Sequence, residues 1–309
     1  MDLALLKLFE TVAEEGSFSR AGQRLFRSQP AISLALRRLE EDLGVVLIDR
    51  STRSLRLTDA GRKVSTYTKE FFTLEREMRV ALSDLRNRAA GKLTIGANES
   101  TALYLLGHVE RFRHEHPGIQ VELRRSLSSQ IPQAVRDGSL ELGAISYDPA
   151  DPNLSLFRLY DDRLTFVVSP DHRLAGRKSV SIAELGSETF IAHNVVSPYR
   201  ARVIETFRLH AVPLNMEIEM PTIETIRRLV QRNLGVAFLP KMCVERQIES
   251  SALCEVAVRE LRMERQIHLV YPLGRYLSQA SRAFLELVGA RIPEANGEPS
   301  DGRASGSVI

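Results

Sequence analysis

Near the start of the chain, apolar residues recur at intervals of three and four, which predicts three short amphipathic helices. The first helix covers residues 2–15 and ends at Gly16. Ser17 and Ser28 are suited to cap the second and third helices, because a serine side chain accepts an N–H bond in the first turn. Gly44 then ends the third helix as a C-cap. The residues predicted to face inward from helices two and three are Phe18, Ala21, Leu25, Phe26, Ala31, Ile32, Ala35, Leu36, Leu39 and Leu43.

The pattern changes after the third helix. Residues 45–58 predict two short strands joined by a polar turn, which form a wing beside the helices. Residues 59–88 predict an unbroken helix with apolar residues at the a and d positions of about three heptads. Such a seam favours a coiled coil between two copies of the chain, and the alternative is a long helix packed on its own domain. The seam residues are Val64, Tyr67, Phe71, Leu74, Met78, Ala81 and Leu85.

Downstream of Gly91 the chain alternates between strand and helix patterns, which indicates an α/β fold with mostly parallel sheets. The predicted strands cover residues 92–96, 119–123, 140–146, 163–169, 190–194, 215–220, 235–239 and 267–271. The predicted helices cover residues 102–115, 130–137, 199–210, 223–233 and 279–291. The last 17 residues are polar and rich in Gly, Pro and Ser, so we predict a disordered tail there.

Composition narrows the class of protein. The 309 residues are 43% hydrophobic and 26% charged, with a net charge of +3, as in ordinary globular proteins. Cys243 and Cys254 form no C-x-x-C pair, so we expect two partly buried free thiols rather than a disulfide framework or a zinc site. No apolar run reaches the length of about 20 residues that a membrane span needs. No signal-peptide pattern follows Met1, so we expect a cytoplasmic protein without a membrane partner.

The motifs of common enzymes are missing from the sequence. There is no G-x-S-x-G, no H-E-x-x-H and no glycine-rich phosphate loop, and the seven histidines are scattered. We therefore expect a binding protein, not an enzyme, with no cofactor and no metal. Two classes remain, a DNA-binding regulator and a cytoplasmic solute-binding sensor without direct promoter control.

The third helix has side chains that suit a DNA-reading helix. Between Arg20 and Arg38 there are five arginines and no acid, a local basic patch that can follow phosphates. Gln29 can pair with adenine in the major groove, and Ser33 lies one turn later on the same face. Arg37, a further turn on, can contact guanine or phosphate. The alternatives are a plain helix-start residue for the glutamine and a solvated surface charge for the arginine.

Residues 16–62, GSFSRAGQRLFRSQPAISLALRRLEEDLGVVLIDRSTRSLRLTDAGR, closely resemble the N-terminal part of LysR-type transcriptional regulators. The resemblance continues less specifically through LTIG, HPGIQVEL, DGSLELGAI and NLGVAFLP to about Ile292. It implies a winged helix-turn-helix, a linker helix and an effector domain of two α/β lobes similar to periplasmic binding proteins. The fold class is therefore α/β with an all-α-rich N-terminal domain.

The resemblance implies a division of the chain and a set of partners. The family commonly assembles as dimers of dimers on promoter DNA, so we expect double-stranded DNA, a dimer formed through residues 64–85, and a homotetramer. RNA polymerase is a further candidate partner, and both activation and repression stay open. The implied parts are a DNA-binding domain (1–58), a linker and dimerisation helix (59–90), an effector-binding domain (91–292, with lobe I at 91–162 and 267–292 and lobe II at 163–266) and a tail (293–309).

Four further residues complete the implied DNA-binding set. Pro30 fits the first turn of the third helix and offers an apolar contact to a thymine methyl. Ser28 is expected mainly as a cap. Arg53, in the polar turn of the wing, can reach the minor groove or the backbone. Arg50 occupies a family position that often supports the wing and touches phosphate.

Hydroxyl groups at predicted helix starts indicate the effector site. Ligands of such folds bind at the carboxyl ends of strands beside helix N-termini, where free N–H groups favour anions. We therefore expect a small carboxylate or inorganic oxyanion as the effector, although each hydroxyl alone is equally well explained as a helix cap. By resemblance, the residues lining the cleft are Ser100, Thr101 and Ser128 on one wall, Ser197 and Thr222 on the other, and Phe238 nearby.

The positive charge for such an anion has no evident source. Some family members that sense aromatic carboxylates have an arginine near the end of the third strand, where this chain has Ser146 and Tyr147. Arg200 and Arg202 are the candidates to replace it, whereas His193 is expected to be a polar core residue. The segments expected to cross between the lobes are 147–163 and 261–268.

Overall fold

The computed structural model describes residues 2–49, 55–86, 91–195 and 197–290. The chain divides into two compact units, Met1–Ser83 and Asp84–Ile309. Within the described ranges, no helix is both long enough and apolar enough to cross a membrane.

The N-terminal unit carries the predicted helices and the wing. The helices are α1 (Leu3–Glu15), α2 (Phe18–Leu25), α3 (Gln29–Leu43) and α4 (Asp59–Arg86), and the strands β1 (Ile48–Asp49) and β2 (Arg56–Leu57) pair antiparallel. The predicted caps are confirmed. Ser17 and Ser28 accept backbone N–H bonds in the first turns of α2 and α3. Gly16 and Gly44 end α1 and α3 in the left-handed region, at φ 57° and 69°.

One apolar core fixes the angle between these helices. Ala21, Ile32, Leu36 and Leu39 are buried there, as predicted. The prediction is wrong for Phe26, whose side chain is 97% exposed, because α2 ends at Leu25 and the next residue turns outward with φ 54°. Ala31 is also exposed, in the first turn of α3.

The second unit is built on a mixed sheet. Its strands are β3 (Gly91–Ala97), β4 (Ile119–Arg125), β5 (Leu142–Ile145), β6 (Leu154–Val168), β7 (Ser179–Val180), β8 (Thr189–His193), β9 (Asn215–Met220), β10 (Ala237–Pro240), β11 (Cys254–Val258) and β12 (Met263–Pro272). Its helices are α5 (Glu99–Glu115), α6 (Ile131–Arg136), α7 (Pro198–Leu209), α8 (Ile223–Gln231), α9 (Glu245–Glu249) and α10 (Gln279–Leu287). The main sheet has the order β4-β3-β5-β12-β6-β11-β7, and β10 also pairs with β6.

Two long strands, β6 and β12, run antiparallel to each other through the middle of this unit. The first half of β6 lies beside the sheet formed by β3, β4 and β5, and its second half pairs with β10 and β11. The α/β class is thus confirmed, but the expectation of mostly parallel pairing is wrong for these strands. β6 runs from one end of the unit to the other and β12 runs back, so the two strands pair antiparallel.

A separate hydrophobic core lies at each end of this strand pair. Leu93, Phe112 and Phe284 are buried at one end, between the sheet and helices α5 and α10. Phe190 and Phe207 are buried at the other end. The two cores correspond to the two predicted lobes, and the crossing strands connect them.

Two elements begin earlier than predicted, one because of a helix cap and one because exposed polar residues alternate with buried ones. α5 begins at Glu99 instead of residue 102, because Asn98 and Thr101 form a capping box there. β6 begins at Leu154 instead of residue 163, since its exposed polar residues conceal an ordinary half-buried strand. Strands β7 and β11 were not predicted.

Candidate DNA-binding surface and effector cleft

The first turns of α3 present the predicted DNA-reading residues. Ser28 caps the helix by accepting the Ala31 N–H at 3.4 Å. Gln29, Pro30 and Arg37 are exposed, and Ser33 is half-buried. Because Gln29, Ser33 and Arg37 are spaced by four, they lie along one side of the helix. Arg50 and Arg53 lie outside the described residues.

The five arginines of the basic stretch do not share one role. Arg24 bridges α2 to α1 through Glu14 at 2.8 Å and Glu15 at 3.0 Å. Hydrogen bonds to these carboxylates, that to Glu15 first, raise the pKa of Arg24. Arg20 likewise donates to the Glu15 carbonyl oxygen. The other three arginines have no ion-pair partner within the described part of the chain and are exposed: Arg27, Arg37 and Arg38.

Asn98 organises the predicted wall of the effector cleft in lobe I. Its side chain caps α5 by accepting the Thr101 N–H at 3.0 Å and the Ser100 hydroxyl at 3.0 Å. Its amide also donates to the Ser128 hydroxyl oxygen at 2.6 Å. Thr101 is fully buried and donates to the Ala144 carbonyl oxygen at 3.2 Å. The structure thus brings the three predicted hydroxyls together around a residue that was not in the predicted set.

The predicted residues of lobe II stand at two helix starts and in the core. Ser197 caps α7 through the Arg200 N–H at 3.1 Å, and Thr222 caps α8 through the Thr225 N–H at 3.1 Å. Phe238 is half-buried and stacks on Phe190, with ring centroids 5.8 Å apart. Its ring belongs to the lobe II core.

Glu99, the first residue of α5, connects the two lobes. One carboxylate oxygen accepts the Ile223 N–H at the start of α8, at 2.8 Å. The other lies 3.2 Å from His193 Nε2. His193 Nδ1 accepts the Val195 N–H at 3.1 Å, which leaves Nε2 to donate to the glutamate. His193 is therefore an interlobe residue, contrary to the expectation of a core role.

A second interlobe contact lies deeper. The Tyr199 hydroxyl at the start of α7 donates to the Ser146 carbonyl oxygen at the end of β5. Beside the start of α5 there is also a cavity of about 270 Å³, whose lining includes Asn98, Glu99 and Thr222. Direct contacts at Glu99 and Tyr199 thus join the lobes across the interlobe region, and Thr222 is the predicted hydroxyl-bearing residue that lines the cavity.

Arg265 on β12 is the buried cation of this region. Its side chain is 4% exposed, and its Nη2 donates to the Ser100 hydroxyl oxygen at 3.1 Å. Its Nε lies 3.3 Å from Asp162 Oδ2, and the Tyr199 ring covers its guanidinium at 5.0 Å. Apolar and polar residues alternate along β12, and residues 263–267 alternate between buried and exposed positions, so an arginine between Met263 and Ile267 in the apolar register was the sequence signal for this site.

Of the two arginines expected to supply charge, one has other partners and one is exposed. Arg200 donates to the His193 carbonyl oxygen at 2.7 Å and pairs with Glu219. Arg202 is exposed on α7. Burial raises the pKa of Asp162, and burial raises the pKa of the nearby Cys243 thiol to about 12. As expected, Cys243 and Cys254 are half-buried free thiols.

Two family models match the chain and together cover most of it. The bacterial regulatory helix-turn-helix protein, lysR family, matches residues 3–62, and the LysR substrate binding domain matches residues 86–293. A probable RuBisCO transcriptional regulator from Cyanidioschyzon merolae is 32% identical over 288 residues, which cover 91% of this chain and 95% of that protein. These families and this relative are transcriptional regulators and not enzymes.

Solved structures share the fold. Full-length CbnR complexed with its target DNA has a TM-score of 0.59 at 19% identity, covering 93% of this chain and 99% of that chain. The regulatory domain of Synechocystis PCC6803 CcmR in complex with 2-PG has a TM-score of 0.57 at 23% identity, covering 64% of this chain and 95% of that chain. The chain therefore belongs to the LysR family of bacterial transcriptional regulators.

Proposed function

We propose that this regulator controls RuBisCO genes by binding their promoter DNA as an oligomer and by responding to a small anion held between its lobes. The observation that carries the gene assignment is the 32% identity to a probable RuBisCO transcriptional regulator over 91% of the chain. The effector class is supported by the hydroxyls and helix starts of the cleft. It is also supported by the 2-PG complex of a regulatory domain with the same fold.

The DNA contacts follow from the exposed start of α3. Gln29 and Ser33 contact base edges in the major groove, and Pro30 packs on a thymine methyl. Arg37 lies two turns into the helix, where an exposed guanidinium reaches guanine or phosphate. Arg50 and Arg53 contribute contacts from the wing.

Dimerisation through α4 is supported by its exposed apolar residues. Tyr67, Leu74 and Leu85 are 70%, 66% and 75% exposed, far more than a helix packed on its own domain would leave. Leu82 is 50% exposed and extends the predicted seam, whereas Ala81 is half-buried. A second copy of α4 is the proposed occupant of this face, because the same heptad pattern on both helices is self-complementary.

Higher assembly extends the same scheme. Two such dimers form a tetramer on adjacent half-sites, and RNA polymerase is the further partner at the promoter. In this proposal the DNA-binding domain ends at residue 58, the linker helix at residue 90 and the effector-binding domain at residue 292.

The effector lies between the lobes, against the hydroxyls that border them. Ser100 and Ser128 form one wall, and Ser197 and Thr222 form the other. Thr101 supports the wall from behind, since it is fully buried. Phe238, half-buried on the lobe II core, is the proposed apolar residue near the effector.

DNA footprinting tests the gene assignment. The full chain is titrated on a RuBisCO promoter fragment from the same genome and on a shuffled fragment, with and without 2-PG. We expect protection of the promoter fragment alone, with a footprint that changes in length or position when 2-PG is present. Equal protection of both fragments would contradict the gene assignment, and protection of neither fragment would favour a solute-binding sensor.

Gln29→Ala tests the base-reading role. We expect a loss of about 1–3 kcal/mol on the specific site with little change on random DNA, because a base contact discriminates between sequences. Fluorescence anisotropy on both duplexes measures this. Gln23→Ala is the matched control, since Gln23 is an exposed glutamine on α2. Equal losses on both duplexes would remove Gln29 from the base-reading set.

A further inference from the structure

The guanidinium of Arg265 has far fewer partners than its burial demands. A guanidinium has five N–H donors. Across the described residues, Arg265 makes one hydrogen bond, from Nη2 to the Ser100 hydroxyl oxygen at 3.1 Å. Its Nε is buried and has no hydrogen-bond partner in that part of the chain, although Asp162 Oδ2 lies only 3.3 Å away.

The carboxylate of Asp162 also has fewer hydrogen-bond partners than its burial demands. Its side chain is 1% exposed, and Oδ1 accepts the Met242 N–H at 3.1 Å. Oδ2 is buried without a hydrogen-bond partner among the described residues. A buried ion pair offsets the loss of its hydration only when the remaining donors and acceptors are also satisfied. Arg265 therefore keeps N–H donors that Asp162 does not satisfy. Two apolar residues at these positions would stabilise the fold as well as this ion pair does.

The free donors converge with other groups that attract anions. Ser100 is the second residue of α5, a helix of 17 residues, so the positive end of its dipole lies there. Tyr199 covers the guanidinium from lobe II, with its ring 5.0 Å away. The side of the region facing lobe II thus contains a cation, a hydroxyl and a helix start, and the aromatic ring limits the size of what fits.

We propose that Arg265 is the cation that binds the effector's carboxylate or phosphate group, together with the Ser100 hydroxyl. Asp162 is the internal anion with which that group competes. This inference rests on the proposed effector function and assigns its charge recognition to one residue. Because Arg265 is buried, the anion reaches it only when the lobes separate, which breaks the Tyr199–Ser146 and Glu99–Ile223 contacts.

Competition predicts opposite effects for the two members of the pair. Asp162→Asn keeps an acceptor for the Met242 N–H and removes the competing charge, so anion affinity rises. The double variant Asp162→Asn with Arg265→Gln removes both charges, leaves no unpaired buried ion and keeps a polar side chain at each position. Its anion affinity falls because the cation is lost, while its folding is preserved.

Isothermal titration of the full-length protein tests these effects, with 2-PG and inorganic phosphate as probes at constant ionic strength. We expect severalfold tighter binding for Asp162→Asn and a loss of about tenfold or more for the double variant. The control is Arg262→Gln, an exposed arginine just before β12, which should bind like the wild type. Thermal unfolding and promoter binding without anion verify that each variant is folded.

The outcomes separate the inference from the proposed function. Double-variant binding within twofold of the wild type overturns the role of Arg265 and leaves the anionic effector standing. Weaker binding by Asp162→Asn overturns the competition. If the wild type binds neither probe, the anionic effector and the role of Arg265 are both overturned, whereas promoter binding is unaffected.

Discussion

Phe26 combines a left-handed backbone with an almost fully solvated ring. Its φ is 54° and its side chain is 97% exposed. A residue with a Cβ in this region costs roughly 1–2 kcal/mol relative to the right-handed helix, and asparagine tolerates it better than other side chains. Neither burial nor backbone preference therefore explains a phenylalanine between α2 and α3.

Replacing this phenylalanine with asparagine should stabilise the N-terminal unit. We expect Phe26→Asn to raise the free energy of unfolding by about 1 kcal/mol, because the backbone cost falls and no burial is lost. Urea unfolding of the full chain, followed by hydrogen exchange of the α2 and α3 amides, measures this. Phe26→Ala is the control, since it removes the ring but keeps the backbone cost. Equal stabilisation by both variants would contradict the backbone explanation.

Gly61, in the first turn of α4, is required for a different reason. A Cβ at this position would lie 2.1 Å from the Leu47 carbonyl oxygen, so helix and wing backbones approach too closely for any side chain. We expect Gly61→Ala to destabilise the N-terminal unit by about 1–3 kcal/mol, measured by thermal unfolding. Gly107→Ala on α5 meets nothing within 4 Å and should be neutral or slightly stabilising. A neutral Gly61→Ala would contradict the close approach.

At the scale of elements, β12 combines a buried arginine with apolar core residues. Its residues alternate between buried and exposed positions, and a register irregularity lies between Ile267 and His268. Before this irregularity the buried face carries Arg265 beside Ser100. After it, Leu269 and Val270 are both fully buried. One strand thus supplies both the proposed effector-binding cation and part of the apolar cores.

His268 at this irregularity makes stability depend on pH. Burial lowers its pKa below the ordinary 6.5, with Arg158 adding to the effect and Asp148 and Asp161 opposing it. As pH falls below 6.5, the unfolded chain takes up the proton first. Stability is therefore full above pH 6.5 and is lost as pH falls through the folded pKa.

Replacing His268 should flatten that dependence. We expect His268→Asn to lose less of its unfolding free energy between pH 7 and pH 5 than the wild type does. Urea unfolding at several pH values measures the difference. His114→Asn, at an exposed position on α5, should follow the wild-type curve. If the unfolding free energy of His268→Asn depended on pH as that of the wild type does, this histidine would not be the source of the dependence.

At the scale of the whole molecule, α4 carries apolar residues that the single chain leaves exposed. Its N-terminal half packs on the first unit, where Glu10 accepts the Ser65 hydroxyl at 2.9 Å and pairs with Lys69 at 3.0 Å. Val64, the first residue of the predicted seam, packs on the core of this unit, whereas most of the seam is exposed, including Leu74 and Met78 at 66% and 55%. One face therefore anchors the helix in its own unit, and the other is available to a second copy.

A charge in the seam should dissociate the proposed dimer. We expect Leu74→Asp with Met78→Asp to shift the protein to monomer in analytical ultracentrifugation and to reduce its promoter affinity, because carboxylates would be buried without partners. Ser83→Asp is the control, since this residue is exposed on the same helix outside the seam. Unchanged association of the double variant would contradict the α4 interface.

The sequence by itself determined the local elements, because periodicity and caps act over a few residues. Ser28, Pro30 and Gly44 defined α3 to within one residue of its observed ends, and motif spacing identified the family. Phe26 was misplaced because a helical pattern carries no information once the helix has ended. Leu82 was missed because the strict heptad continued through Ala81.

Only the tertiary structure decided which distant groups meet. Arg265 and Ser100 are 165 positions apart, and Glu99 and Ile223 are 124 apart, so no local pattern relates them. Arg200 and Arg202 were reasonable sources of charge by sequence distance, but a carboxylate on a neighbouring strand pairs with the first, and the second is exposed. The proposed charge recognition depends on which groups are buried together, and the pairing of β6 with β12 places Arg265 opposite Asp162.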